Sequence, residues 1–289
     1  MKNKIILGTA QVSGNYGINN KIGVLEEESI FKILEYAYEN GIKVIDTANA
    51  YGKAEKIIGE FIKYNGIKDV RIITKLNINS NYSFHESFNK SLSNLGSIDT
   101  IMFHSYGDCH KNIDKSLNFL SEYKNSYNKI GLSLYENNEF YNISDNFNFD
   151  IIQLPFNLID NENLRGNLLR NLKENNIETH VRSIFLQGLF FMNSTEIPEN
   201  LSYLKDFLNY IDDLCLSYNI NKFDLAIQYA LSKKYIDGVL MGVDSIKQLK
   251  ENLKTLDNDL NLNLLSKIDN INCLNTILLN PKNWKNQKQ

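Results

Sequence analysis

Proline and cysteine are scarce in this chain, three of each among 289 residues. With so few prolines, helices and strands run almost uninterrupted, and no Pro-rich linker divides the chain. Cys109, Cys215 and Cys273 are odd in number, far apart and form no CxxC pair, which excludes a disulfide framework or a zinc site of recognisable spacing. Charge of one sign is lacking too. The formal net charge is −3, and Lys and Glu are scattered, so there is no electrostatic case for nucleic acid or an acidic membrane surface. No apolar window approaches the roughly 20 residues of a membrane span. The opening MKNKIILGTAQVSGNYG has only a short apolar run before Gly, Gln and Ser, unlike a secretory signal, so a cytoplasmic protein is expected. The turn after that run does not match GxGxxG, which argues against an open dinucleotide-binding sheet. His85, His104, His110 and His180 make no HxH pair at a strand end, which argues against a metal-dependent hydrolase. No long heptad or exposed apolar stripe reveals an oligomeric state.

What the chain has in quantity is alternation. It is 43% hydrophobic and 22% charged, the balance of a globular protein with a sizeable core. Short runs rich in β-branched residues, most of them continuously apolar, fall at Lys4–Gly8, Ile42–Asp46, Val70–Lys75, Asp99–Phe103, Lys129–Ser133, Asp150–Gln153, Ile177–Ser183 and Gly238–Met241. Parallel strands buried on both faces have that pattern. Helical periodicity separates them, at Glu26–Asn40, Lys53–Tyr64, Ser83–Leu95, Lys111–Tyr123, Asn161–Glu174, Leu201–Tyr218, Lys222–Lys233 and Ser245–Thr255, and a last segment is Asn261–Cys273. In the first helix Ile30, Ile33, Leu34 and Ala37 recur at i, i+3, i+4 and i+7, and Asn40-Gly41 supplies the stop. This alternation predicts an α/β fold, a single (β/α)8 TIM barrel over residues 1–289 with parallel strands inside and helices outside. Phe185–Pro198 breaks the rhythm and is expected to form a loop over the site.

In such a barrel, chemistry belongs at the C-terminal ends of the strands. Three consecutive strands lead there into ionisable groups: Asp46 with Tyr51 on the following loop, Lys75, and His104. Taken singly, an Asp at a strand end is most often a helix cap and a His in an apolar run most often structural. Together, buried without partners, they would cost several kcal/mol each, so they should neutralise one another. A phenol of pKa about 10 is a poor acid near neutrality. A neighbouring ammonium is expected to lower that pKa, with Asp46 aiming Lys75, Tyr51 donating a proton to a carbonyl oxygen and His104 orienting it.

The segments LGTAQ…YGI (Leu7–Ile18), IDTANAYGKAEKIIG (Ile45–Gly59), ITKL (Ile73–Leu76), DTIMFHS (Asp99–Ser105), IGLSLY (Ile130–Tyr135), IIQLPFNLID (Ile151–Asp160) and GVDSIKQLKENL (Gly242–Leu253) resemble the aldo-keto reductase family. The resemblance covers essentially the whole chain. It implies a (β/α)8 barrel that reduces an aldehyde or ketone with NADPH or NADH, with Asp46, Tyr51, Lys75 and His104 as the catalytic set. It further implies Gly8, Thr9 and Ala10 beneath the nicotinamide, Ser133 and Gln153 on its carboxamide, and Ser183 with the Phe185–Leu189 loop beside the pyrophosphate. Gly242, Asp244, Ser245, Gln248, Glu251 and Asn252 would line the adenosine end, although Ser245 also reads as a plain N-cap. A non-catalytic cofactor-binding subunit on the same barrel is the alternative.

The chain departs from the family in three places. Leu134 follows Ser133 where the family often has Asn, so one amide contact to the nicotinamide is expected to be missing. Arg182 stands where many members stack an aromatic ring on the nicotinamide; its planar guanidinium can stack in the same way, the preferred reading, or bind an acidic substrate group. Asp244 replaces the Arg or Lys that holds a 2′-phosphate, so NADH is expected to be accepted at least comparably to NADPH. The short loop Ser105–Lys111, the tail Ile271–Gln289 and Tyr16, Asn49, Tyr106 and Tyr135 near the rim suggest an open, polar pocket for a sugar or nucleotide-sugar carbonyl.

Overall fold

The computed structural model describes residues 2–14, 16–20, 23–76, 83–257 and 261–287; the last two positions of the expected tail lie outside them. Eight parallel strands close into a barrel in sequence order. They are β1 (Ile5–Gly8), β2 (Val44–Ala48), β3 (Arg71–Leu76), β4 (Thr100–Phe103), β5 (Lys129–Ser133), β6 (Ile151–Pro155), β7 (Glu178–Arg182) and β8 (Gly238–Gly242). β8 pairs back onto β1, with Ile5 opposite Val239 and Gly8 opposite Gly242. β2 runs two residues beyond the expected end because Thr47 and Ala48 stay in register with Thr74 and Lys75.

The outer layer begins with α1 (Glu27–Glu39), α2 (Ala54–Tyr64), α3 (Phe84–Leu95), α4 (Tyr106–His110) and α5 (Ile113–Glu122). It continues with α6 (Asn137–Tyr141), α7 (Glu162–Glu174), α8 (Lys205–Ser217), α9 (Lys222–Ser232), α10 (Ile246–Lys254) and α11 (Leu262–Asp269). Local chemistry sets several of these boundaries. Ser83 and Glu86 form a reciprocal capping box at the start of α3, and the Asn261 side chain accepts from the N–H groups of Asn263 and Leu264 to start α11.

Three expectations about the helices need correction. The single-turn helices α4 and α6 are too short to show a periodicity. α4 occupies the expected loop Ser105–Lys111, where Ser105 caps it by accepting from the Asp108 N–H. The segment foreseen as one helix from Leu201 starts as a 3-10 turn, Glu199–Leu204, and becomes α-helical only at Lys205. The segment expected to reach Cys273 stops at Asp269. Phe185–Pro198, expected as a loop over the site, does lie at the C-terminal end of the barrel and contains a 3-10 turn, Leu186–Phe191, in which Gln187 and Gly188 have φ of +53° and +89°. It packs against the loop after β1, where the Ile18 N–H donates to the Gln187 carbonyl at 3.0 Å.

The strand period places the site. Ile6, Val44, Ile73, Met102, Ile151 and Leu240 form a small apolar cluster separate from the large core between strands and helices. Gly131 abuts Met102 and Gly238 abuts Ile6 and His180, which puts β5 and β7 into the same lumen. Side chains two places apart share a face of a strand. The next residues inward are therefore Gly8, Asp46, Lys75, His104, Ser133, Gln153, Arg182 and Gly242, all at the C-terminal end. An apolar plug thus carries a polar layer at the end where barrels hold their chemistry.

Candidate active site

Asp46 and Lys75, each 2% exposed, form an ion pair in that layer. The second carboxylate oxygen of Asp46 accepts from Gln153 Nε2 at 2.9 Å. Burial pushes the Lys75 ammonium below its ordinary pKa, and the charge of Asp46 is the largest influence holding it up. The expected neutralisation is therefore present between these two residues.

Tyr51 reaches the same place from a tight turn. Its N–H donates to the Ala48 carbonyl at 2.9 Å, and its own carbonyl accepts from Ala54, the first residue of α2, at 3.0 Å. Gly52 has φ of +57°, a left-handed conformation that bends the chain without a Cβ penalty. The Lys75 ammonium lies 5.7 Å from the centre of the Tyr51 ring. The His104 ring meets Tyr51 edge to face, 5.9 Å between centres. These distances answer why a buried strand delivers a carboxylate while its loop delivers a phenol: both converge on one ammonium.

Two electrostatic expectations are overturned. Burial raises the Tyr51 phenol above its ordinary value, the charge of Asp46 adds to this, and the cation that opposes it is Arg182. Lys75 is already paired with Asp46, so little of its field is left to acidify the phenol. His104 is pushed down to about 3, first by burial and then by the cations Lys75, Lys282 and Arg182. It is a neutral imidazole with a buried, unpartnered Nδ1, and it takes no part in neutralising Asp46.

A cavity of about 420 Å³ opens on this layer. Tyr51, Asp46 and Lys75 line it, as do the expected cofactor residues Gly8, Thr9, Ala10, Gln153, Arg182, Ser183, Phe185, Gly242, Asp244, Gln248, Glu251 and Asn252. His104, Ser133 and Ser245 do not line it; His104 stands against the Tyr51 ring. The Ser133 hydroxyl accepts from Arg182 Nε at 3.4 Å, and the Ser245 hydroxyl caps α10 by accepting from the Gln248 N–H at 3.2 Å. Where the absent amide would have stood, the buried Leu134 offers its carbonyl to Arg182 Nη2 at 3.0 Å. The guanidinium lies 4.1 Å from the centre of the Tyr135 ring, so its expected aromatic partner is at least in part a protein side chain.

A dinucleotide fits this lining. Gln153 and Asn252 both line the cavity, their Oε1 and Oδ1 are buried acceptors without partners, and an amide acceptor left dry is costly until a donor arrives. At the floor the Gln11 amide packs directly on Gly242, 2.1 Å from where a Cβ would stand, so a side chain there would have to displace Gln11. Gln187 and Phe191, from the segment expected over the site, also line the cavity, as do Gln11 and Phe223, which were not singled out from sequence. Phe223 reads there as one more apolar position on α9; only the fold stacks it on Phe185, 4.8 Å between ring centres.

Comparison with known proteins agrees with this geometry. The aldo/keto reductase family profile matches residues 4–272. The chain is 25% identical to the "uncharacterized oxidoreductase YqkF" of Bacillus subtilis, over 79% of this chain and 82% of that protein. It is also 25% identical to the "NADH-specific methylglyoxal reductase" of Escherichia coli, over 87% of this chain and 89% of that protein. Among solved structures, the holo form of aldo-keto reductase AKR11C1 from Bacillus halodurans superposes with a TM-score of 0.77, at 20% identity over 93% of this chain and 92% of that one. At that identity the structural likeness is one of fold alone. The family match spans nearly the whole chain, and the protein therefore belongs to the aldo/keto reductase family of NAD(P)H-dependent carbonyl oxidoreductases.

Proposed function

We propose that this chain reduces the aldehyde or ketone of a small, polar, hydroxylated molecule of sugar or nucleotide-sugar type, with Tyr51 as general acid. One observation carries the reading: a phenol and a buried ammonium–carboxylate pair line a single cavity that also holds unpartnered amide acceptors, and a neutral imidazole packs edge to face on the phenol. When bound, the dihydronicotinamide supplies the hydride. Tyr51, whose raised pKa keeps its proton in place at neutral pH, delivers that proton to the carbonyl oxygen as the alcohol forms. Asp46 holds Lys75 charged and aimed, so the ammonium stabilises negative charge developing on that oxygen. His104, neutral, orients the carbonyl without adding a charge.

Gln153 Oε1 would accept from the carboxamide of the cofactor, and Asn252 with Glu251 would hold the adenosine end. Asp244 is half-buried there, with its N–H bound by the Gln248 side chain at 2.8 Å. A carboxylate within about 5 Å of a phosphate dianion is repulsive by at least about 1 kcal/mol, so NADH is the better or equal coenzyme. The similar NADH-specific methylglyoxal reductase is consistent with that preference. The three cysteines are buried free thiols, which suits a reducing cytoplasm. The test is oxidation of NADH and NADPH at 340 nm against aldoses, nucleotide sugars and simple aldehydes. Turnover of polar carbonyls supports the reading, and a blank panel with tight cofactor retention overturns it in favour of a non-catalytic subunit.

A further inference from the structure

Arg165 pairs with Asp160 and Arg170 with Glu162, but Arg182 forms no ion pair among the described residues. It is only half-exposed and stands in the cavity wall. Three of the five N–H donors of a guanidinium are used here, on Ser133, Ser183 and the Leu134 carbonyl, all neutral groups. One donor is left on each terminal nitrogen, the fork that matches a carboxylate or phosphate.

A second cation comes to the same place from the C-terminal segment. Lys282 Nζ lies 4.7 Å from the centre of the Tyr135 ring that Arg182 also covers. It too forms no ion pair among the described residues. Neighbouring carboxylates form no ion pair with either cation among the described residues, although the charge of Lys282 reaches Asp108. Asp108 accepts from Ser105 Oγ at 2.8 Å, and Glu139 accepts from the N–H groups of Tyr135 and Glu136 at 2.6 and 3.0 Å. Within the lumen Asp46 is already bound by Lys75 and Gln153. Two cations thus share one aromatic ring beside the reacting phenol with no ion-paired carboxylate among the described residues, an arrangement that cation–π attraction holds in place but does not neutralise.

We propose that Arg182 and Lys282, steadied by Tyr135, form an anion-recognition subsite, so that the preferred substrate carries a carboxylate or phosphate ester on the same molecule as its carbonyl. The proposal rests on the carbonyl-reductase reading and narrows it. It also assigns Arg182 to the substrate side of the cavity in preference to stacking on the nicotinamide. The edge of the guanidinium takes the anion while one of its faces stays on Tyr135.

The test compares matched pairs at low ionic strength: 4-oxobutanoate with its methyl ester, and glyceraldehyde 3-phosphate with glyceraldehyde. One charged member should exceed its neutral partner at least tenfold in kcat/KM, which identifies carboxylate or phosphate as the anion, and 0.5 M NaCl should shrink the advantage. Lys282→Gln should cut that preference about fivefold. Arg182→Gln should cut it about thirtyfold, mainly through KM, with Arg182→Lys recovering part. A second arm needs no turnover: succinate and inorganic phosphate are titrated calorimetrically into the full chain in saturating NAD+, so that cofactor phosphate contacts are already filled. Binding that weakens in both Gln variants supports the subsite even if no carbonyl is reduced, in which case only the reductase reading fails. Equal turnover of charged and neutral partners, or anion binding indifferent to both variants, overturns the subsite and leaves the reductase reading standing.

Discussion

Replacing Asp46 by Asn removes the one carboxylate that pairs with Lys75 while keeping the shape and the acceptor that Gln153 uses. Both partners are 2% exposed, so the variant leaves an ammonium buried with a neutral amide. Breaking a buried pair on one side costs about 3–5 kcal/mol. Unfolding entropy scales with chain length, and for a chain of this size that cost lowers Tm by roughly 5–8 °C. The pH dependence follows from the direction of the Lys75 shift. Burial already depresses its folded pKa below the ordinary 10.5, and loss of Asp46 depresses it further. Between the folded and unfolded values the unfolded chain binds more protons, so stability rises with pH. The Tm deficit of the variant against wild type should therefore shrink from pH 6 to pH 9, as Lys75 sheds its proton without unfolding. Adding Lys75→Met to the same variant should recover most of the lost Tm, since no charge is then buried, while turnover stays abolished. Differential scanning calorimetry at pH 6 and 9 on the two variants reads all of this. An unchanged Tm in the single variant, or a deficit that grows with pH, would refute the account of the pair.

Other consequences can be checked separately. Asp244→Ser should shift the ratio of NADPH to NADH affinity toward NADPH by about fivefold, the removal of roughly 1 kcal/mol of repulsion; fluorescence titration of both coenzymes reads it, and an unmoved ratio contradicts the assignment of Asp244. With its pKa near 3, His104 should stay neutral from pH 5 to 8, and a ring NMR titration with a midpoint near 6.5 would overturn that. The raised Tyr51 phenol keeps its proton throughout the neutral range, so carbonyl reduction should hold its rate up to pH 9, and a decline beginning near pH 7 would show that the phenol is acidified after all.

The barrel was legible because most strands are apolar runs and each long helix carries its own stripe, so period and length alone separate them. Asp46, Lys75 and His104 were legible for a related reason: a polar residue closing a buried run has to be explained. The short helices α4 and α6 carried no periodicity, and the break inside Leu201–Tyr218 depends on Pro198 starting a 3-10 turn. Charge states were the least legible. Sequence places Lys75 near Tyr51 but cannot divide its field between that phenol and Asp46, and the division decides the sign of the phenol shift. Lys282 was invisible in a lysine-rich tail; only the fold returns it to Tyr135, 147 positions earlier in the chain by numbering.

Tyr51→Phe examines the proton donor itself. Single-turnover oxidation of bound coenzyme, followed at 340 nm with the best carbonyl from the panel, should slow by about 10²–10⁴-fold, while coenzyme affinity measured by fluorescence stays within threefold of wild type. Hydride transfer at the wild-type rate in a protein lacking that hydroxyl would mean that residue 51 supplies no proton.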